Sequence, residues 1–136
     1  MAQDFRELRV WQDAMALAEA VYAATQVFPP EERFGLASQL RRASVSTASC
    51  IAEGNARSST RDYLRFLSMS SGSLAEVETQ LLLARRFGYL SDDDISLLLT
   101  PLHGLARQLQ VLKKTLSSKL AGDQTFPVPR SPVPAS

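Results

Sequence analysis

Between Phe34 and Gly54 the chain reads FGLASQLRRASVSTASCIAEG, and nearly every side chain in it is small. Ala37, Ser38, Ala43, Ser44, Ser46, Thr47, Ala48, Ser49, Cys50 and Ala52 leave only Leu40, Val45 and Ile51 as sizeable apolar residues. The run is long enough for a helix of roughly 30 Å. A helix that is small on most sides lets other helices approach closely on more than one face. Ala48 is an expected close-packing position on it.

The flanking sequence supplies partners for such a helix. A first helix is expected over about 6–26. Asp4 and Glu7 stand at capping-box spacing before it, and Leu8, Trp11, Met15, Ala18, Tyr22 and Thr25 recur by three and four, with Ala14, Leu17 and Val21 widening the stripe into one broad buried face. Phe28-Pro29-Pro30 ends it, because proline cannot continue the backbone ladder. The small-residue helix is expected over 31–54, with a core stripe of Ala37, Leu40, Ser44, Thr47 and Ile51. A third helix over 59–87 has Ser59 as N-cap with Asp62 three residues on, and Gly88 closes it. Gly72 lies inside that helix, where glycine costs about 1 kcal/mol against alanine, so a close helix crossing is expected there. A fourth helix over 92–120 opens on Ser91 and three aspartates. It carries a seam of Ile95, Leu98, Leu102, Leu105, Leu109, Leu112 and Leu116, with Pro101 expected to kink it near Leu97.

No stretch alternates with the period of a strand. The fold class read from this pattern is all-α, an antiparallel up-down-up-down four-helix bundle over residues 1–120. Residues 121–136 hold prolines at 127, 129, 132 and 134 and are expected to form a disordered tail. Met1 to Glu7 mixes acids and bases without an apolar core, so no signal peptide is expected. No apolar run is long enough for a bilayer, so no membrane association is expected.

Catalytic and cofactor chemistry find little material. One histidine, His103, and one cysteine, Cys50, cannot build a zinc cluster, and Thr100 rather than a glutamate precedes His103 at the di-iron spacing. A lone helical histidine with no paired acid expected nearby is a poor start for a triad. Cys50 among small helical residues reads as a buried thiol, and a single cysteine fits a reducing cytoplasm. No phosphate-cradling glycine pattern is present. The expectation is a protein that is not an enzyme and takes no cofactor or metal.

Two groups of charged residues remain. Glu76 shares a helical face with Met69, Ser73, Gln80, Leu83 and Phe87, and a carboxylate in that stripe needs a partner if buried. Arg41 is the expected partner, within or between subunits, fixing helix register more than adding stability. Arg57, Arg61 and Arg65 recur every four residues and are the candidates for nucleic-acid contact, although Glu53, Asp62 and Glu78 are interleaved with them. The net charge is only +1.

The chain also resembles a known family. Gly35-Leu36, Ser38-Gln39-Leu40-Arg41-Arg42-Ala43 and Ile51-Ala52-Glu53-Gly54 look like the second helix of the four-helix-bundle proteins encoded in 23S ribosomal RNA intervening sequences. Phe5, Leu8, Val10 and Trp11 match its opening, and Phe66-Leu67, Gly72 to Leu81 and Gly88-Tyr89-Leu90 match its third helix. The resemblance spans roughly residues 4–120. Where the family often reads Pro-Ser-Asn, this chain has Ala48-Ser49-Cys50, which should straighten the second helix. The resemblance implies a bacterial, cytoplasmic homo-oligomer, a pentamer around a central channel. The accessory protein of diversity-generating retroelements is a strongly basic relative of the fold that binds nucleic acid and a reverse transcriptase. Five copies of this chain at +1 each would carry only +5. Two functions follow as expectations. The first is a non-enzymatic oligomeric scaffold or accessory protein acting on a protein or nucleoprotein partner. The alternative is a direct RNA- or DNA-binding factor.

Overall fold

The computed structural model describes residues 4–125 of the chain. Four α-helices fill it: α1 (Arg9–Thr25), α2 (Leu36–Asn55), α3 (Thr60–Arg86) and α4 (Asp92–Thr125). No strand occurs among the described residues. Helix α2 packs on α1 and α3, and α4 packs on α1 and α3, while the backbones of the diagonal pairs α1–α3 and α2–α4 stay apart. Side chains pair across α2 and α3 in opposite chain directions, Gln39 with Gln80, Ser46 with Ser73 and Thr47 with Ser70. With short connections between neighbouring helices, this is compatible with the up-down-up-down bundle.

The α2–α3 contact is the tightest in the molecule, and its chemistry follows from small residues. A Cβ added at Gly54 would stand 2.8 Å from the Cβ of Phe66, so only glycine lets the helices meet there. Ser44, Thr47 and Ser70 are buried in or beside this seam. Each hydroxyl has an acceptor: Ser44 donates to the Arg41 carbonyl at 2.9 Å, Thr47 to the Ala43 carbonyl at 2.9 Å and Ser70 across the seam to the Thr47 carbonyl at 2.8 Å. A buried hydroxyl without such a bond costs about 1–3 kcal/mol. The expected core stripe of α2, Ala37, Leu40, Ser44, Thr47 and Ile51, is buried throughout. So is the α4 seam from Ile95 to Leu109, whereas Leu112 and Leu116 are only partly covered.

Several boundaries differ from the sequence expectation, each for a local reason. The first helix does not start at Arg6. Phe5–Glu7 form a separate 3-10 turn, and Leu8 is extended before α1 begins. Asp4 holds the turn by accepting from the Arg6 backbone N–H at 2.9 Å and from its guanidinium, while Gln12 Nε2 donates to the Arg6 carbonyl at 3.0 Å. The second helix does not start at Glu31 either. Pro30–Glu32 make a 3-10 turn and α2 begins at Leu36. Glu32 is the reason: one carboxylate oxygen accepts from the Leu36 N–H at 2.9 Å, the other from the Tyr89 hydroxyl at 2.9 Å. One acid thereby caps α2 and ties it to the loop between α3 and α4.

The buried face of α1 is Val10, Ala14, Leu17, Val21 and Thr25, which is narrower than the broad face expected, and Met15 and Tyr22 of that expected face are exposed. On α3 the core face is Phe66, Leu67, Ser70, Leu74, Val77, Leu81 and Ala84, which leaves Met69, Leu83 and Phe87 outside. Helix α3 does start on the Ser59 cap, whose hydroxyl accepts from the Asp62 N–H at 3.0 Å. It ends at Gly88, whose φ of +81° suits glycine. Helix α4 runs through Pro101, whose ring side is exposed, and continues five residues beyond 120 to Thr125. Ala121 to Thr125 contain no proline to stop the helix. Residues 126–136 of the expected tail lie outside the described residues.

The close-crossing expectation at Gly72 is corrected. A Cβ there meets nothing within 4 Å in the chain. Gly54→Ala should cost about 1–3 kcal/mol by overpacking, whereas Gly72→Ala should raise stability by up to about 1 kcal/mol through helix propensity, both read by urea unfolding. The bonds from Leu36 and Tyr89 lower the pKa of Glu32 below the ordinary carboxylate range. A lowered folded-state pKa contributes stability above the unfolded value that is lost as pH falls through the folded one. The melting-temperature gap between the parent and Glu32→Gln should therefore be largest near neutrality and close as pH falls below the ordinary glutamate range.

Candidate interaction surfaces

The described residues contain no group of three or more His, Cys, Asp or Glu arranged to hold a metal. Cys50 is buried against Ser46, whose oxygen is 3.8 Å from the sulfur. The expectation that His103 lacks an acid is corrected: Nε2 lies 2.8 Å from Glu78 Oε2, contributed by α3. Both side chains are well exposed, and the pair has no further acid, cysteine or hydroxyl bonded to it. A hydrogen-bonded latch between α3 and α4 is what this geometry can do. No described helix is long and apolar enough to cross a membrane.

The features that remain are surfaces. The apolar residues displaced from the α1 core face line a groove between α1 and α2. Trp11, Met15 and Tyr22 form one wall, Val45 the other, and Ala18, Ala48 and Ala52 the floor. Ala48 is buried, and the small side chains of Ala48 and Ala52 follow directly from the composition of α2. On the other side of α2, the exposed flank of α3 carries Met69, Leu83 and Phe87. A shallower groove beside it is lined by Gln39, Arg42, Glu76 and Gln80. The Gln80 carboxamide oxygen is shut in without a hydrogen-bond partner.

Arg41 and Glu76 do not meet within the chain. Arg41 Nε donates to Thr25 Oγ1 at 2.8 Å, and its guanidinium lies 4.7 Å from the Tyr22 ring centroid. Thr25 can accept because its own proton is given back to the Val21 carbonyl at 2.9 Å. Arg41 thus closes the C-terminal end of α1, whose carbonyls carry the negative end of the helix dipole. Glu76 stands exposed on the outer face of α3.

The three spaced arginines behave differently from one another. The guanidiniums of Arg57 and Arg65 lie 4.7 Å and 4.6 Å from the centroid of the one Phe66 ring. Arg57 also pairs with Glu53 at 3.2 Å and Arg65 with Asp62 at 3.7 Å. Arg61, exposed, has no ion pair of its own. Basic residues nevertheless gather at this end of the bundle. Arg6, Arg9, Lys113, Lys114 and Lys119 share it and outnumber its acids Asp4, Glu7, Glu53 and Asp62, while the opposite end mixes Glu31, Glu32, Asp92, Asp93 and Asp94 with Arg33, Arg85 and Arg86. The role of Phe66 was not legible from spacing, because nothing in a four-residue arginine repeat says which aromatic it flanks. The Glu32–Tyr89 contact joins residues 57 positions apart and left no local signal.

A comparison with protein-family models matches residues 6–111 to the model described as 23S rRNA-intervening sequence protein. A search of curated proteins finds no match.

Double-mutant cycles separate the observed arginine contact from the expected one. Arg41 and Thr25 should couple by about 1 kcal/mol, in the range for a hydrogen bond to a charged group that is part-exposed. Arg41 and Glu76 should show no coupling in the folded monomer, measured by denaturant unfolding.

Proposed function

We propose that this chain, which belongs to the 23S rRNA-intervening sequence protein family, is a non-enzymatic, self-associating scaffold that presents a partner-binding surface. The observation that carries this reading is the pair of exposed apolar faces on either side of α2. The groove of Trp11, Met15, Tyr22 and Val45 and the α3 flank of Met69, Leu83 and Phe87 do not overlap. Two different faces on one protomer support a head-to-tail contact, and such contacts close into rings when the rotation allows. A homopentamer is the ring we propose, and a protein or nucleoprotein is the partner it would carry. Exposed methionine, tyrosine and phenylalanine also suit interface cores.

Light scattering coupled to gel filtration tests the assembly. The parent chain should run at about five times its 14.9 kDa mass. Met15→Glu and Leu83→Glu, both at exposed positions, should each yield a monomer with unchanged helical circular dichroism. A parent chain that is monomeric at tens of micromolar, or variants that leave its size unaltered, would remove the reading.

The gathering of basic residues around Arg57, Arg61 and Arg65 supports a second reading, direct binding of RNA or DNA. Against it, Arg57 and Arg65 already serve Glu53 and Asp62. If it holds, the affinity for a short RNA falls with salt at a slope of about −0.7 per phosphate contact for single strands. Replacing Arg61 by Ala should then flatten the slope by about one contact.

A further inference from the structure

The end of the bundle where α1 begins and α4 finishes is not closed over. A cleft opens there between the turn at Phe5, the loop from α2 to α3 and the last turns of α4. Its lining combines three things. Phe5 and Leu116 give it apolar walls, Arg6, Arg57 and Lys119 stand along it as cations, and Asn55 lies in it near the end of α2.

Asn55 is the informative residue. It is only 7% exposed, yet its one bond in the chain is a 3.4 Å contact from Nδ2 to the Tyr63 hydroxyl, at the long limit for such bonds. A carboxamide offers two N–H donors and a two-lone-pair acceptor. Most of that capacity is unused by the protein, and the oxygen is not sealed in as that of Gln80 is. A buried amide kept open toward a cleft is a group placed to exchange both a donor and an acceptor with something planar and polar-edged. The charges select further. Among the described residues Asp4 is the one acid in the lining and is bound to Arg6, Arg57 shares its charge with Glu53, and Lys119 makes no ion pair. The lining is left with an excess of positive charge beside an aromatic wall.

We propose that this cleft binds a nucleoside phosphate, with the base against Phe5 and Leu116, its edge read by the Asn55 carboxamide and the phosphate held by Lys119 and Arg57. Free nucleotides and the terminal nucleotide of a single strand share this chemistry. The site does not depend on self-association, because every lining residue comes from one protomer.

Isothermal titration of the full chain with AMP, with inorganic phosphate and with a 5′-phosphorylated trinucleotide tests it. AMP or the trinucleotide should bind at least about tenfold more tightly than inorganic phosphate. Tighter binding of the trinucleotide assigns the site to strand ends, and tighter or equal binding of AMP assigns it to free nucleotides. Lys119→Glu, at an exposed position that leaves the core alone, should weaken binding by about tenfold or more. Asn55→Ala should abolish discrimination between AMP and CMP, and Lys119→Glu keeps the test decisive if the Asn55 variant does not fold. No binding of either nucleotide ligand, phosphate binding as tightly as nucleotides, or affinity unchanged by Lys119→Glu would overturn the proposal. Repeating the titration on Met15→Glu separates this site from the assembly, since loss of the oligomer leaves the cleft intact.

Discussion

Helices α2 and α3 approach so closely at Gly54 that no other residue fits opposite Phe66, and most of the molecule is arranged around that approach. Close packing of two backbones brings polar hydroxyls inside, because serine and threonine are the small residues this sequence uses. The structure satisfies them by turning Ser44 and Thr47 back on carbonyls of their own helix and sending Ser70 across to α2. Dispersion contacts between backbones then replace the interdigitation of long side chains. Larger apolar residues are supplied by the other elements, from Leu17 and Val21 of α1 to Leu102, Leu105 and Leu109 of α4.

A narrow helix in the middle of a bundle also leaves apolar residues on its neighbours without cover. Trp11, Met15 and Tyr22 of α1 overhang the alanine floor of α2 instead of meeting a large partner. On the other side, Met69 and Phe87 of α3 project past it. The same composition that brings α2 and α3 together therefore produces the exposed faces on which the proposed assembly rests. Sequence, packing and surface are linked here by side-chain volume, with charge in a secondary role.

The parts of this fold that were legible in the sequence are those set by local rules. The core stripe of α2, the Ser59 cap and the Gly88 stop each depend on a few neighbouring residues, and each was readable. The α1 face was read too broadly: Ala14, Leu17, Val21 and Thr25 are core as expected, but Trp11, Met15 and Tyr22, large and apolar, look like core residues although they line a groove. Gly72 and Gly54 illustrate a second limit. Glycine within a helix signals an opportunity for close contact, but only the fold says which glycine faces a neighbour. Arg41 illustrates a third. Its helical face was right for several partners, and the choice of Thr25 over Glu76 was decided by how far α1 extends beside α2. Phe66 between two guanidiniums, and Glu32 bound to Tyr89, needed distances no periodicity contains.

The unequal lengths of the helices have a consequence of their own. Helix α4 spans 34 residues where α1 has 17, and beyond Leu109 its side chains lose full burial. Opening of those last turns breaks few apolar contacts, so their backbone amides should exchange with solvent well before the amides of α2, at a free energy far below that of global unfolding. Leu116 and Lys119, which border the cleft, belong to this loosely held segment. The wall of the cleft is thus the portion of the bundle whose order is least costly to alter. Anything that bridges it to Asn55 would draw part of its effect from suppressing local opening, with the tightly packed seam between α2 and α3 left undisturbed.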